Sequence, residues 1–154
     1  QTRPFETLDK MNASIVNNIN EVVGQDDVLI HFGDWSFGGF ETIEELRNRI
    51  WCKEIHLIYG NHDHHLVNNR ENIQRLFTST QWFLQLNYMG ETMECMHYPI
   101  ASWNGLNKGR IHLHGHCHLP NEKKILLPTA MSTIQYVIDM FKAGNLVREI
   151  TIIP

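Results

Sequence analysis

Ile55-His56-Leu57-Ile58-Tyr59-Gly60-Asn61-His62-Asp63 opens as a short, mostly apolar run and ends in a glycine followed by three polar side chains. A run of this length, stopped by Gly-Asn, suits a buried strand and is too short for a helix. Val28-Leu29-Ile30-His31-Phe32-Gly33-Asp34 has the same plan, an apolar run that stops at glycine and a carboxylate. Between the two, Ile43, Leu46 and Ile50 recur at helical steps within residues 41–52. Strand, helix and strand joined by such short connections make a βαβ unit. The two strands are therefore expected to run parallel and to be covered on both faces.

On the N-terminal side, residues 4–23 have the spacing of an amphipathic helix, with Phe5, Leu8, Met11, Ile15, Ile19 and Val22 on one face. Pro4 suits a first turn, Glu6 and Asp9 complement the helix dipole, and Gly24 ends the pattern. On the C-terminal side, a short helix is expected near 69–77, then strands over 82–88 and 92–97 around a Met89-Gly90 turn. A further strand is expected over 110–114, a brief one over 125–127, and a closing hairpin from 134–141 and 146–153. Helices crowd the first half and strands the second, which favours a layered α/β sandwich with mixed sheets.

With 154 residues, 42% of them hydrophobic and 19% charged, the chain has the size and balance of one globular domain with a substantial core. No apolar stretch is long enough to span a bilayer, so no membrane partner is expected. A formal charge of −4 provides no bulk attraction to nucleic acid, although a local basic patch remains compatible with it. Cys52, Cys95 and Cys117 form an odd, unpatterned set, expected as reduced thiols in the cytoplasm.

The chemistry-bearing residues cluster at the ends of the apolar runs. Ligands collect at the carboxyl ends of parallel strands, where Asp34 and Asn61-His62-Asp63 stand. A carboxylate there can bridge two cations, and an Asn oxygen suits a hard or borderline metal. His97 follows a strand just before Pro99. His116 and His118 are two apart, so an extended backbone aims both the same way. Mixed oxygen and nitrogen ligation suits Mn, Fe, Zn, Ni or Co without choosing among them.

Gly33-Asp34, Gly60-Asn61-His62-Asp63, His97 and Gly115-His116-Cys117-His118 together resemble four of the five blocks of the calcineurin-like metallophosphoesterase family, over roughly residues 4–120. The resemblance implies a four-layer αββα sandwich with two mixed sheets. It implies a site of two divalent metal ions, with Asp34 bridging them. Asn61, His97 and His116 would complete one metal's protein ligands, and His118 would serve the other. His62 would contact the phosphate and protonate the leaving oxygen, with Asp63 orienting its imidazole. The implied reaction is hydrolysis of a phosphodiester or phosphomonoester by in-line attack of a metal-bound hydroxide. The family's first block, Asp-x-His on the first strand, is expected upstream of Arg3-Pro4-Phe5. Residues 1–154 would thus be a single metallophosphoesterase domain without that strand. Only 33 residues separate Asp63 from His97, too few for a capping domain, so a nucleotide or other phosphodiester could reach the site.

Plainer readings stand beside this one. Asp34 and Asn61 favour turns after strands in any case. His31, His112 and His114 read as structural, His64 and His65 as solvated, and Trp35, Phe37 and Phe40 as core or pocket lining. A degenerate relative using one metal for binding, and a closed structural zinc site, are the alternatives to an enzyme.

Overall fold

The computed structural model describes residues 5–68, 72, 75–88 and 90–117. His118 and the strands expected at 125–127, 134–141 and 146–153 lie outside them.

Helix α1 runs Leu8–Val22, with the Thr7 side chain accepting from the Lys10 N–H at its start. The described start is thus a threonine cap, and Pro4 lies outside the described residues. Its packed stripe is Ile15, Val16, Ile19 and Val23. Leu8 and Val22, expected on the buried face, are exposed, because the stripe that meets the core is rotated from the longer sequence pattern. Strand β1 is Val28–His31, α2 is Phe40–Arg49 and β2 is Glu54–Ile58. β1 and β2 pair in parallel, with Leu29 opposite Ile55 and His31 opposite Leu57, as the βαβ spacing requires. β1 is less covered than expected, with Val28 exposed, since β2 and not β1 is central among the described strands of its sheet. Helix α3, which the pattern does not announce, occupies His64–Asn68 immediately after the Gly-Asn-His-Asp block. Of the start of the helix expected near 69–77, residues 69–71, 73 and 74 lie outside the described residues and Asn72 is helical. A strand the pattern does not announce, β3 at Ser79–Gln81, pairs in parallel with β2. Ser-Thr-Gln has no hydrophobic signature. Pairing holds it, helped by the Arg47 guanidinium, which donates to the carbonyls of Leu76, Ile50 and Lys53 and so braces the approach to it.

The second sheet contains β4 (Phe83–Tyr88), β5 (Glu91–Met96) and β6 (Ile111–His114). β4 and β5 are antiparallel and β5 and β6 parallel, so this sheet is mixed while the first is parallel throughout its described strands. Alternation sorts the faces. Ile55, Leu57 and Tyr59 meet α1, α2 and α3 in one core. Ile58, Ile30 and Phe32 meet Met93, Cys95, Ile111, Leu84 and Leu86 of the second sheet in another. The described residues therefore stack as helices, sheet and sheet. No helix among them is long and apolar enough to cross a membrane.

This topology brings many chain ends to one place. β1, β2 and β3 are parallel, so Gly33, Gly60 and Trp82 follow their carboxyl ends on the same side. Phe83 pairs with Met96, and β6 runs with β5, so His97 and Gly115-His116 emerge at the corresponding end of the second sheet.

Candidate metal centre

The turn after β1 and the turn after β2 touch through their glycines. Gly33 has φ +87, and a Cβ on it would stand 2.6 Å from Gly60 Cα and 2.7 Å from His97 Nδ1. A Cβ on Gly60 would stand 2.5 Å from the Asp34 nitrogen. Side chains at either position would wedge the ligands apart, which is the physical content of both Gly-Asx steps.

Asp34 and His116 have φ of 56 and 64, left-handed values that cost a non-glycine residue on the order of 1–2 kcal/mol. Asp34 is held there from two sides. Its N–H donates to Asp63 Oδ2 at 2.8 Å, and its Oδ1 accepts from the His62 N–H at 3.0 Å. Asp63 Oδ2 also accepts from the Gly60 N–H, and Oδ1 from the Trp35 N–H, each at 2.8 Å. Asp63 is only 1% exposed. Burial pushes its carboxyl above the ordinary range, the three N–H bonds oppose that shift, and the Asp34 charge adds to it. The structure gives Asp63 a part that the expected one does not include. Both of its oxygens accept from backbone donors, so it clamps two loops together, and no hydrogen bond joins it to the His62 ring among the described residues. No sequence signal announces the clamp, because its donors lie in the turns before α3 and not in the helix itself.

His97 is 2% exposed, and its Nδ1 donates to the Phe32 carbonyl at 2.5 Å. A carbonyl only accepts, so the neutral ring carries its proton on Nδ1 and leaves the Nε2 lone pair directed at the site. Asn61 Oδ1 is 3.0 Å and His116 Nδ1 3.1 Å from that Nε2, and the Asn61 and His116 atoms are 3.0 Å apart. Asp34 Oδ2 lies 3.6 Å from His97 Nε2. Donor atoms of Asp34, His97 and His116 all fall within 4.8 Å of one another, the spacing of a group that can hold a metal ion. Four lone-pair atoms facing one another repel. A proton on His116 Nδ1 relieves one pair, whereas a divalent cation satisfies all four. The residues present fit such an ion. Phe32 contributes only its carbonyl, and no sequence signal distinguishes it.

The sequence-derived ligands Asp34, Asn61, His97 and His116 are thus brought together, and His118 lies outside the described residues. His62 is exposed beside them, its ring 4.5 Å from that of Phe37, which is 75% exposed. Trp35 and Phe40 instead pack against the helix-side core. His31 stands edge-on to Trp35 at 4.8 Å, and burial pulls its imidazole down to about 4, with Asp34 opposing that shift and His97 adding to it. His112 is structural, its Nδ1 on the Glu94 carbonyl at 2.7 Å, while Ile100 N–H donates to its Nε2. It thereby anchors the segment following His97. Tyr98, which sequence reasoning passed over, stands edge-on to His97 at 4.9 Å and to His116 at 4.8 Å.

No protein-family model matches the chain. It is similar to the uncharacterized protein MJ1445 of Methanocaldococcus jannaschii, at 25% identity over 169 aligned positions covering 96% of this chain and 85% of that protein. In fold it resembles the crystal structure of the protein of unknown function AQ665 from Aquifex aeolicus, with TM-score 0.57 and 20% identity over 77% of this chain and 71% of that one.

Proposed function

We propose that the protein is a metal-dependent phosphoesterase acting on a phosphodiester or, less readily, a phosphomonoester, and that its complete fold is a four-layer αββα sandwich of metallophosphoesterase type. The observation that carries this reading is the convergence of Asp34, Asn61, His97 and His116 at the carboxyl ends of both sheets. Their donor set fits Mn, Fe, Zn, Ni or Co. Asp34 would be shared by two ions, with His118 serving the second. When bound, such a pair lowers the pKa of water toward neutrality and neutralises charge developing on phosphorus. The chain's own contributions are positional and protonic. The Phe32 carbonyl fixes the His97 tautomer, Asp63 fixes both turns, and Asp34 is tied through its Oδ1 to the backbone of His62. The exposed His62 ring is the group that delivers a proton to the leaving oxygen. Free Cys52, Cys95 and Cys117 support a reducing, cytoplasmic compartment.

The test is turnover of bis-p-nitrophenyl phosphate and p-nitrophenyl phosphate by the chain loaded with each metal in turn. Metal-dependent hydrolysis, abolished in His97→Ala, is expected. His62→Gln should lower kcat roughly 10²- to 10⁴-fold with bound metal unchanged. Absence of metal-dependent turnover would remove the proposal. A metal-to-protein ratio of one with no turnover would favour a binding module, the reading suggested by the single donor group among the described residues.

A further inference from the structure

An open pocket of ≈ 310 Å³ adjoins the candidate metal centre, lined by Asn61, His64, Val67, Asn68, Trp82 and Tyr98. Two of these belong to the centre's immediate surroundings. Asn61 faces both spaces, and Tyr98 stands against His97 and His116. Trp82 sits where the chain crosses from β3 to β4, and hence from one sheet to the other. Its ring rests against Tyr59 at 5.2 Å, yet 46% of the residue is exposed. An indole held on one side by a buried tyrosine and left open toward a cavity is a stacking platform.

We propose that this cavity is a subsite for the nucleobase of the substrate, so that the phosphoester turned over is of nucleotide type. The inference rests on the phosphoesterase reading. The cavity's volume is at the small end of ligand pockets, enough for one flat group and not for an extended chain. Its walls offer aromatic and apolar faces from Trp82, Tyr98 and Val67, to which any base can stack. The exposed Asn68 and His64 supply donors and acceptors for a base edge. Among the described residues no carboxylate, lysine or arginine lines it, so discrimination comes from stacking, shape and these neutral polar groups. Because Asn61 is common to both spaces, a base in the cavity is connected to a phosphoryl group at the metal centre.

Calorimetric titration of the metal-loaded chain with AMP and with ribose 5-phosphate tests this, since the two ligands share the phosphate and sugar and differ in the base. AMP should bind roughly 10- to 100-fold more tightly than ribose 5-phosphate, the range that stacking of one base provides. Trp82→Phe should keep that ratio. Trp82→Ala should bring it to within about twofold, as should Trp82→Leu, which retains an apolar contact with Tyr59 but no flat face. Equal affinities in the parent chain, or a ratio that survives in Trp82→Leu, would overturn the subsite. Failure of the phosphoesterase reading looks different: no metal-dependent turnover of any ester, whatever the AMP to ribose 5-phosphate ratio.

Discussion

Asp63 gathers N–H groups from Asp34, Trp35 and Gly60, residues on two loops far apart in the chain. Its carboxylate therefore holds Asp34 in its left-handed conformation as much as any covalent neighbour does. Asp63→Asn keeps size and shape but turns an NH₂ toward at least one buried N–H. We expect a loss of about 1–3 kcal/mol in urea unfolding. Metal affinity should fall with it, because Asp34 is no longer held in place. An unchanged midpoint would show that the clamp carries no weight. His97 illustrates the same dependence on a distant partner. The residue type announces a ligand, but the Phe32 carbonyl decides which nitrogen is free to bind. The sequence made the ligand set legible and left these supporting roles dark, because a backbone carbonyl or a shared carboxylate has no spacing of its own.

At the scale of elements, the strands with strong apolar runs were readable, and β3 was not. Ser79–Gln81 is a strand because β2 offers it a partner, with His56 opposite Ser79 and Ile58 opposite Gln81. α3 was not readable either, since the turn at Gly60 leads directly into it through the Asp63 N–H, which donates to the Gly60 carbonyl. The loops carry a sharper prediction. Gly33 and Gly90 have nearly the same φ, +87 and +86, but a Cβ would strike Gly60 at the first and meet nothing within 4 Å at the second. Gly90→Ala therefore measures backbone strain alone, about 1–2 kcal/mol. Gly33→Ala adds steric conflict and should cost about 1–3 kcal/mol more. Equal losses in the two variants, read from unfolding midpoints, would show that the two turns are not in contact.

Across the whole molecule, the donors at positions 34, 61, 97 and 116 come from turns after strands of two different sheets. An unfolded chain offers no such group, so metal should bind the folded state and stabilise it. At a free metal concentration 100 times Kd the gain is about 2.7 kcal/mol, or roughly 5–10 °C in Tm. Chelation should reverse the shift, and Asp34→Ala should abolish it; a shift of full size in Asp34→Ala would place the metal elsewhere. Two kinds of information separate here. Apolar period, glycine steps and residue type are local, and by themselves they determined the parallel βαβ unit and the main strands, while the grouping of positions 34, 61, 97 and 116 came from the resemblance those blocks carry. Contacts between loops some thirty residues apart obey no local period. Only the packed sheets decided that Asp63 is a clamp, that Ser79–Gln81 is a strand, that α1 turns a different stripe inward, and that Trp82 borders the candidate metal centre. Each of those outcomes depends on the partner that packing supplies.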